Sequence, residues 1–150
     1  MYKKILICTD GSELSSEAEQ HGMALAKSLG AEVVAVSVTP SVYYGMVGEG
    51  LAYAGELQRQ ALDNAKKFLE RVTTLGKEAG ISVDTVNASD RSPYMGIVET
   101  ADEKNCDLIV MASHGWRGFT QLLLGSEAKM VITHSKVPVL IYRRDRKESI

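Results

Sequence analysis

The sequence predicts an α/β fold, a mostly parallel sheet covered by helices on both faces. Short continuous apolar runs of strand length recur along the 150 residues, and helix-spaced apolar stripes separate them. The two kinds of segment alternate as β-α-β-α-β-α-β-α-β, the order that right-handed crossovers turn into a parallel sheet. Most of the apolar runs lack polar alternation, which implies strands buried on both faces. At this length the chain reads as a single domain over 1–150, large enough to bury roughly 70% of its unfolded surface.

Ile5-Leu6-Ile7 is the first strand, and Leu14, Ala18, Leu25 and Leu29 stripe the helix after it. Asp10 or Ser12 is expected to cap that helix, with Glu13 completing an Asp-x-x-Glu box. Val33 to Val38 is the second strand. The segment 41–54 is the least regular, carrying Tyr43, Tyr44, Met46 and Tyr53 among Gly45, Gly48 and Gly50. It reads either as a flap over the carboxyl edge of the sheet or as a loop whose aromatics pack on neighbouring helices. Leu57, Ala61, Ala65, Phe68, Val72 and Leu75 line the second helix, and Ser82 to Val86 is a weaker third strand. Ser92-Pro93 starts the third helix, the serine as capping side chain and the proline at the first helical position, with Ile97, Val98 and Ala101 following. Leu108 to Met111 is the fourth strand. A short helix after Gly125 is expected to bury Ala128, Val131 and Ile132, and Val139 to Ile141 closes the sheet.

Open parallel sheets bind ligands beyond the carboxyl ends of their strands, where the winding reverses. The loops that reach that edge are Thr9-Asp10-Gly11-Ser12, Thr39-Pro40 and Ser113 to Gly118. The stretch from Asp107 to Ser126 is the most informative, because a buried strand there empties into a glycine-bearing loop and Gly125-Ser126 opens an amphipathic segment. Such a loop turns successive amides toward one point, and the following helix adds its unpaired N–H groups, so the pattern predicts a phosphate site. Neither standard glycine fingerprint is present. Gly48-Glu49-Gly50 lacks the third glycine, and Gly76-Lys77 is followed by Glu78 at the end of a helix. Asp10 suits ribose hydroxyls or a metal beside phosphates, with helix capping as its competing role. His114 either donates to a phosphate or fills space in the loop.

The charges nearly balance, 17 Lys and Arg against 19 Asp and Glu, for a net −2. That gives no electrostatic reason to expect nucleic acid or an anionic membrane as partner. The amino-terminal apolar stretch stops at Thr9-Asp10, too short for a signal peptide or membrane span, so a cytoplasmic location is expected. Cys8 and Cys106 are expected as buried reduced thiols. His21 and His134 fall on helices, and the dispersed histidines and cysteines form no recognisable metal set, so no metal is expected on protein ligands alone. A Ser-His-Asp hydrolase is disfavoured because Gly-x-Ser-x-Gly is absent.

On three separated motifs the chain resembles the universal stress protein family over nearly its whole length. Lys3-Lys4-Ile5-Leu6-Ile7-Cys8-Thr9-Asp10-Gly11-Ser12 is similar to the family's first strand and adenosine loop. Ala112-Ser113-His114-Gly115, nine residues, then Gly125-Ser126 matches the spacing of the family's nucleotide pattern Gly-x2-Gly-x9-Gly-Ser/Thr. Val137-Pro138-Val139-Leu140-Ile141 is similar to its dimer-forming edge strand. Ala112 departs from the pattern, standing at its first glycine. A methyl group is tolerated there at negative φ and obstructive at positive φ or at closest approach to phosphate.

The resemblance implies a three-layer sheet of five parallel strands, adenine nucleotide alpha hydrolase-like (Rossmann-like). It implies ATP as ligand, or AMP or ADP, with Mg²⁺ accompanying ATP near Asp10. Adenine would rest near Cys8, Thr9 and Val38, and triphosphate across Ser113 to Gly118 and over Gly125, Ser126 and Glu127. Arg117 would neutralise phosphate or serve as an exposed solubilising side chain. A homodimer through 137–142 is implied, and an unpaired Val139-Leu140-Ile141 edge is an aggregation hazard that pairing removes. The implied role is a nucleotide-dependent stress-response sensor or regulator. Two alternatives stay open: a slow ATPase or phosphotransferase using Asp10, His114 or Glu127, and a nucleotide-free dimeric interaction module.

Overall fold

A computed structural model describes residues 1–40, 49–90, 92–115 and 124–144. Along them run β1 (Lys4–Cys8), α1 (Glu13–Leu29), β2 (Glu32–Pro40), α2 (Glu49–Ala79), β3 (Val83–Asp90), α3 (Pro93–Glu103), β4 (Leu108–Ala112), α4 (Ser126–His134) and β5 (Val139–Tyr142). The strands form one five-stranded sheet in the order β3-β2-β1-β4-β5. Every pairing is parallel, with Ile5 opposite Val33 on one side and Leu108 on the other. The winding therefore reverses between β1 and β4.

Alternate residues of a strand point to opposite faces, and the core divides accordingly. Ile5, Ile7, Val33, Ala35 and Val110 pack with Met23 and Ala26 of α1 and Leu69 and Val72 of α2. Leu6, Val34, Val36 and Ile109 pack with Ile97 and Ala101 of α3 and Ala128 and Val131 of α4. The expected three layers are present. The edge strands are less covered: β3 has only half-buried and exposed positions, and Leu140 on β5 is exposed.

Several local expectations are corrected. Ile132 is 46% exposed, because the nine-residue α4 closes its contact with Ala128 and Val131 alone. Leu29 and Leu57 are also exposed, since their stripes outrun the surface they cover. Residues 49–54 belong to α2, with Tyr53 exposed and Ala54 fully buried. Tyr43, Tyr44, Gly45, Met46 and Gly48 lie outside the described residues. Strand β3 starts at Val83 and runs on to Asp90.

Ser12, not Asp10, caps α1, its side chain accepting from Ser15 N at 3.2 Å. Asp10 Oδ1 accepts from Ser12 N at 2.9 Å, which closes the turn before the helix, while Glu13 faces Arg144 at 3.4 Å instead of completing a box. Ser92 occupies the N-cap position of α3 without a side-chain cap bond. That role passes to Glu127 of α4, whose Oε2 accepts from Tyr94 N at 2.8 Å. Asp107 ties the start of β1 to β4, accepting from Lys3 N at 2.8 Å and Lys4 N at 3.1 Å. Burial pushes its carboxyl pKa up, and these amides outweigh burial and hold it below the ordinary value. Among the described residues no helix is long and apolar enough to cross a membrane.

Candidate functional site

A cavity of about 540 Å³ opens at the carboxyl edge of the sheet, where β1 and β4 part. The end of β1 contributes Cys8, Thr9 and Asp10, and β2 contributes Val36, Val38 and Pro40. From β4 and the turn after it come Met111, Ala112, Ser113, His114 and Gly115; from the start of α4 come Gly125, Ser126, Glu127 and Ala128. Pro93 and Ile97 of α3 and Ser15 of α1 complete the lining. One side is an apolar slot; the other is backbone and small polar groups. The site residues named from the sequence thus converge, except that Arg117 and Gly118 lie outside the described residues. Pro40 lies on an edge loop named from the sequence, whereas Ser15, Val36, Pro93, Ile97, Met111 and Ala128 were not anticipated as lining. The apolar ones read as core in a sequence, because a slot wall and a core face share one periodicity.

Two glycines make the polar side. A Cβ on Gly115 would stand 2.5 Å from Asp10 Oδ2, and one on Gly125 would stand 2.8 Å from Ser113 O and 3.4 Å from His114 Cα. Neither glycine has positive φ, so space and not backbone conformation demands them. Gly125 N donates to Ser113 O at 2.8 Å, which holds the start of α4 against the end of β4. The first-turn amides of α4 then point outward with no helical acceptor of their own, as at every helix start. Ala112 is paired with Tyr142 in extended backbone, and φ is not positive, so its methyl brings no backbone strain. Of the objections to alanine at this place, the conformational one is removed.

Gly11 is different, because it has φ +79 and a Cβ there would stand 2.2 Å from the Phe68 ring. The turn that presents Asp10 therefore needs glycine both for its dihedral and for its packing on α2.

Beneath that turn lies a polar network that the sequence did not disclose. Glu19 is fully buried on α1 and receives a bidentate pair from Arg71 of α2, Nη2 to Oε1 at 2.6 Å and Nε to Oε2 at 2.8 Å. Ser15 Oγ donates to Glu19 Oε1 at 3.0 Å and accepts from Asp10 N at 3.2 Å. Arg71 Nη2 also reaches Thr9 Oγ1 at 3.4 Å. The backbone of Asp10 is thereby held by α1 and the Thr9 side chain by α2. The one available signal was Glu19 falling beside Ala18 and Gly22 on the buried face of α1.

His114 Nδ1 lies 3.0 Å from Ser113 Oγ, which turns the ring back toward its own loop. Cys8 is buried, and desolvation, reinforced by Asp10, pushes its thiol pKa far above the usual value. Burial raises Cys106 to about 11. Both cysteines are free, and neither supplies thiolate at neutral pH. His21 and His134 lie on α1 and α4, exposed and away from the cavity. Among the described residues no group of three or more His, Cys, Asp or Glu side chains is arranged to hold a metal ion.

Comparison with known proteins gives a consistent set of likenesses. The model of the universal stress protein family matches residues 1–143. Universal stress protein MJ0531 of Methanocaldococcus jannaschii is 38% identical, over 99% of this chain and 86% of its own length. Universal stress protein YxiE of Bacillus subtilis is 32% identical, over 95% of this chain and all of its own. The solved structure of MJ0577, also from M. jannaschii, superposes with a TM-score of 0.85 at 30% identity, covering 97% of this chain and 99% of that one. Three more distant solved structures share the fold: a universal stress protein in complex with cAMP (24% identity, TM-score 0.71, covering 96% and 99%), one from Archaeoglobus fulgidus with dAMP (21%, 0.68, 93% and 97%), and one from Arabidopsis thaliana with AMP bound (14%, 0.69, 99% and 95%).

Proposed function

Because the chain belongs to the universal stress protein family, we propose that its cavity binds an adenine nucleotide and that the protein acts as a nucleotide-dependent regulator in a stress response. The observation that carries this reading is the pairing of an apolar slot with a glycine cradle at the reversal of the sheet's winding. The base rests in the slot near Cys8, Thr9 and Val38, and the ribose lies near Asp10. Phosphate oxygens take backbone N–H groups from the turn after β4 and from the first turn of α4, with the Ser126 hydroxyl as a further donor. ATP is the ligand that the family resemblance implies, carried by the Gly115 to Gly125-Ser126 match, and ADP and AMP share its base site. Asp10 offers the single carboxylate that Mg²⁺ commonly takes beside phosphates, so the residues present fit a metal carried in with ATP. The nucleotide complexes among proteins of this fold support the same reading.

Binding is favoured over turnover for a specific reason. His114 is bonded to Ser113, Glu127 to Tyr94 N and Asp10 to Ser12 N, so each candidate base already serves a structural partner. Mass spectrometry of small molecules released from denatured protein should find adenine nucleotide in stoichiometric amount, and titration with ATP and AMP should show saturable binding. No released ligand and no binding would move the assignment to a nucleotide-free interaction module. Rapid single-turnover release of ADP with Mg²⁺, abolished by His114→Ala or Glu127→Gln, would replace regulation by catalysis.

The homodimer belongs to the same proposal. Strand β5 ends the sheet with Leu140 exposed, an apolar edge that a second copy can cover by continuing the pairing. Light scattering is expected to give twice the 16.3 kDa chain mass, and Leu140→Lys to shift the population toward monomer. A wild-type monomer at micromolar concentration would refute this.

A further inference from the structure

Glu127 stands in the first turn of α4 on the cavity wall, with its carboxylate bonded to Tyr94 N at 2.8 Å. Pro93 has no N–H and Met95 N donates to Ser92 O at 3.1 Å, so Glu127 satisfies the first free donor of α3. Helix N-termini attract anions. Here the protein supplies one of its own: a fixed carboxylate joins the starts of two helices, beside the amides that the proposed function gives to phosphate. Asp10 and Glu127 are the carboxylates among the described residues that line the cavity.

We propose, resting on the adenine-nucleotide reading above, that Glu127 sets the phosphate-length preference of the site. Its charge penalises each added phosphate, so it narrows the advantage that the further phosphate contacts give ATP over AMP. ATP carries roughly two more negative charges than AMP near neutral pH. Coulomb's law for two such charges about 8 Å from a carboxylate in a water-like dielectric gives a penalty of about five-fold in affinity. A narrower preference lets AMP displace ATP more readily as the ratio of the two falls.

The test separates the charge from the helix cap. Glu127→Gln keeps an oxygen acceptor for Tyr94 N and removes the charge, whereas Glu127→Ala removes both. Competition titrations with AMP and ATP, without Mg²⁺, are run on wild type and both variants at about 50 and about 500 mM salt, where screening lengths differ several-fold. The glutamine variant is expected to lower the ratio Kd(ATP)/Kd(AMP) about two- to three-fold at low salt, where screening already trims the bare Coulomb value, with the shift shrinking further at high salt. The alanine variant should show the same ratio shift together with a lower Tm. An unchanged ratio in the glutamine variant, or AMP and ATP affinities moving together, would show Glu127 to be the cap of α3 and nothing more. So would a shift that ignores salt. Wild-type protein that binds neither nucleotide defeats the underlying reading of the cavity, an outcome distinct from binding with an unmoved ratio.

Discussion

Gly125→Val is expected to weaken nucleotide binding by at least about 100-fold, or about 2.7 kcal/mol. The Cβ of any side chain there would stand 2.8 Å from Ser113 O, the same carbonyl that accepts from Gly125 N. The obstacle is backbone, so the end of β4 and the start of α4 must move apart, and the cradle is lost along with the bond that closes it. Overpacking of this kind costs about 1–3 kcal/mol of stability, well short of unfolding most domains. Gly115→Ala is the informative companion, because its Cβ would meet the tip of Asp10, 2.5 Å away, and a side-chain end can rotate aside. That variant should keep full stability and lose about ten-fold in affinity, or about 1.4 kcal/mol, through displacement of Asp10. Calorimetric titration alongside thermal unfolding measures both, and unaltered affinity in the two variants would refute the cradle.

Arg71→Met is expected to be the most destabilising single change away from the apolar core. It strands the fully buried Glu19 carboxylate, which the Arg71 fork now neutralises through bonds of 2.6 and 2.8 Å. Removing one partner of a buried pair costs about 3–5 kcal/mol, and the partial exposure of Arg71 places this case toward about 3 kcal/mol. The change should lower Tm by about 10 °C for a domain of this length. Urea denaturation of the single variant and of the double variant Glu19→Met, Arg71→Met decides the cause. The double variant should recover most of the loss, since an apolar pair of similar volume needs no charge compensation. Equal destabilisation of both would mean that packing of the Arg71 stem, not the ion pair, was at stake.

What the sequence disclosed and what it withheld divide along a physical line. Ile5 to Ile7, Val33 to Val38 and Leu108 to Met111 were legible because a strand buried on both faces must be continuously apolar, whatever surrounds it. Gly115 and Gly125 were legible from their spacing, although the reason for each is contact with one particular neighbour, which only the folded chain reveals. The Glu19 and Arg71 pair was hidden because the two residues are 52 apart, and each alone resembles a solvated helical charge. The cap of α3 was misassigned to Ser92 because local capping rules do not anticipate a carboxylate arriving from α4. Residues 49–54 read as irregular because glycine and tyrosine are poor helix formers, and packing that buries Ala54 overrides that preference.

The pairing of β1 with β4 joins segments more than a hundred residues apart, Ile5 with Leu108 and Ile7 with Val110. Each half of the molecule, β1 to β3 on one side and β4 with β5 on the other, holds only one wall of the cavity. Contacts this remote in sequence are slow to form, because a long loop must close before any bond rewards it. A fragment ending before β4, such as a nascent chain leaving the ribosome, carries neither glycine of the cradle, Gly115 nor Gly125, and leaves β1 unpaired on one side. The cavity is a property of the finished chain.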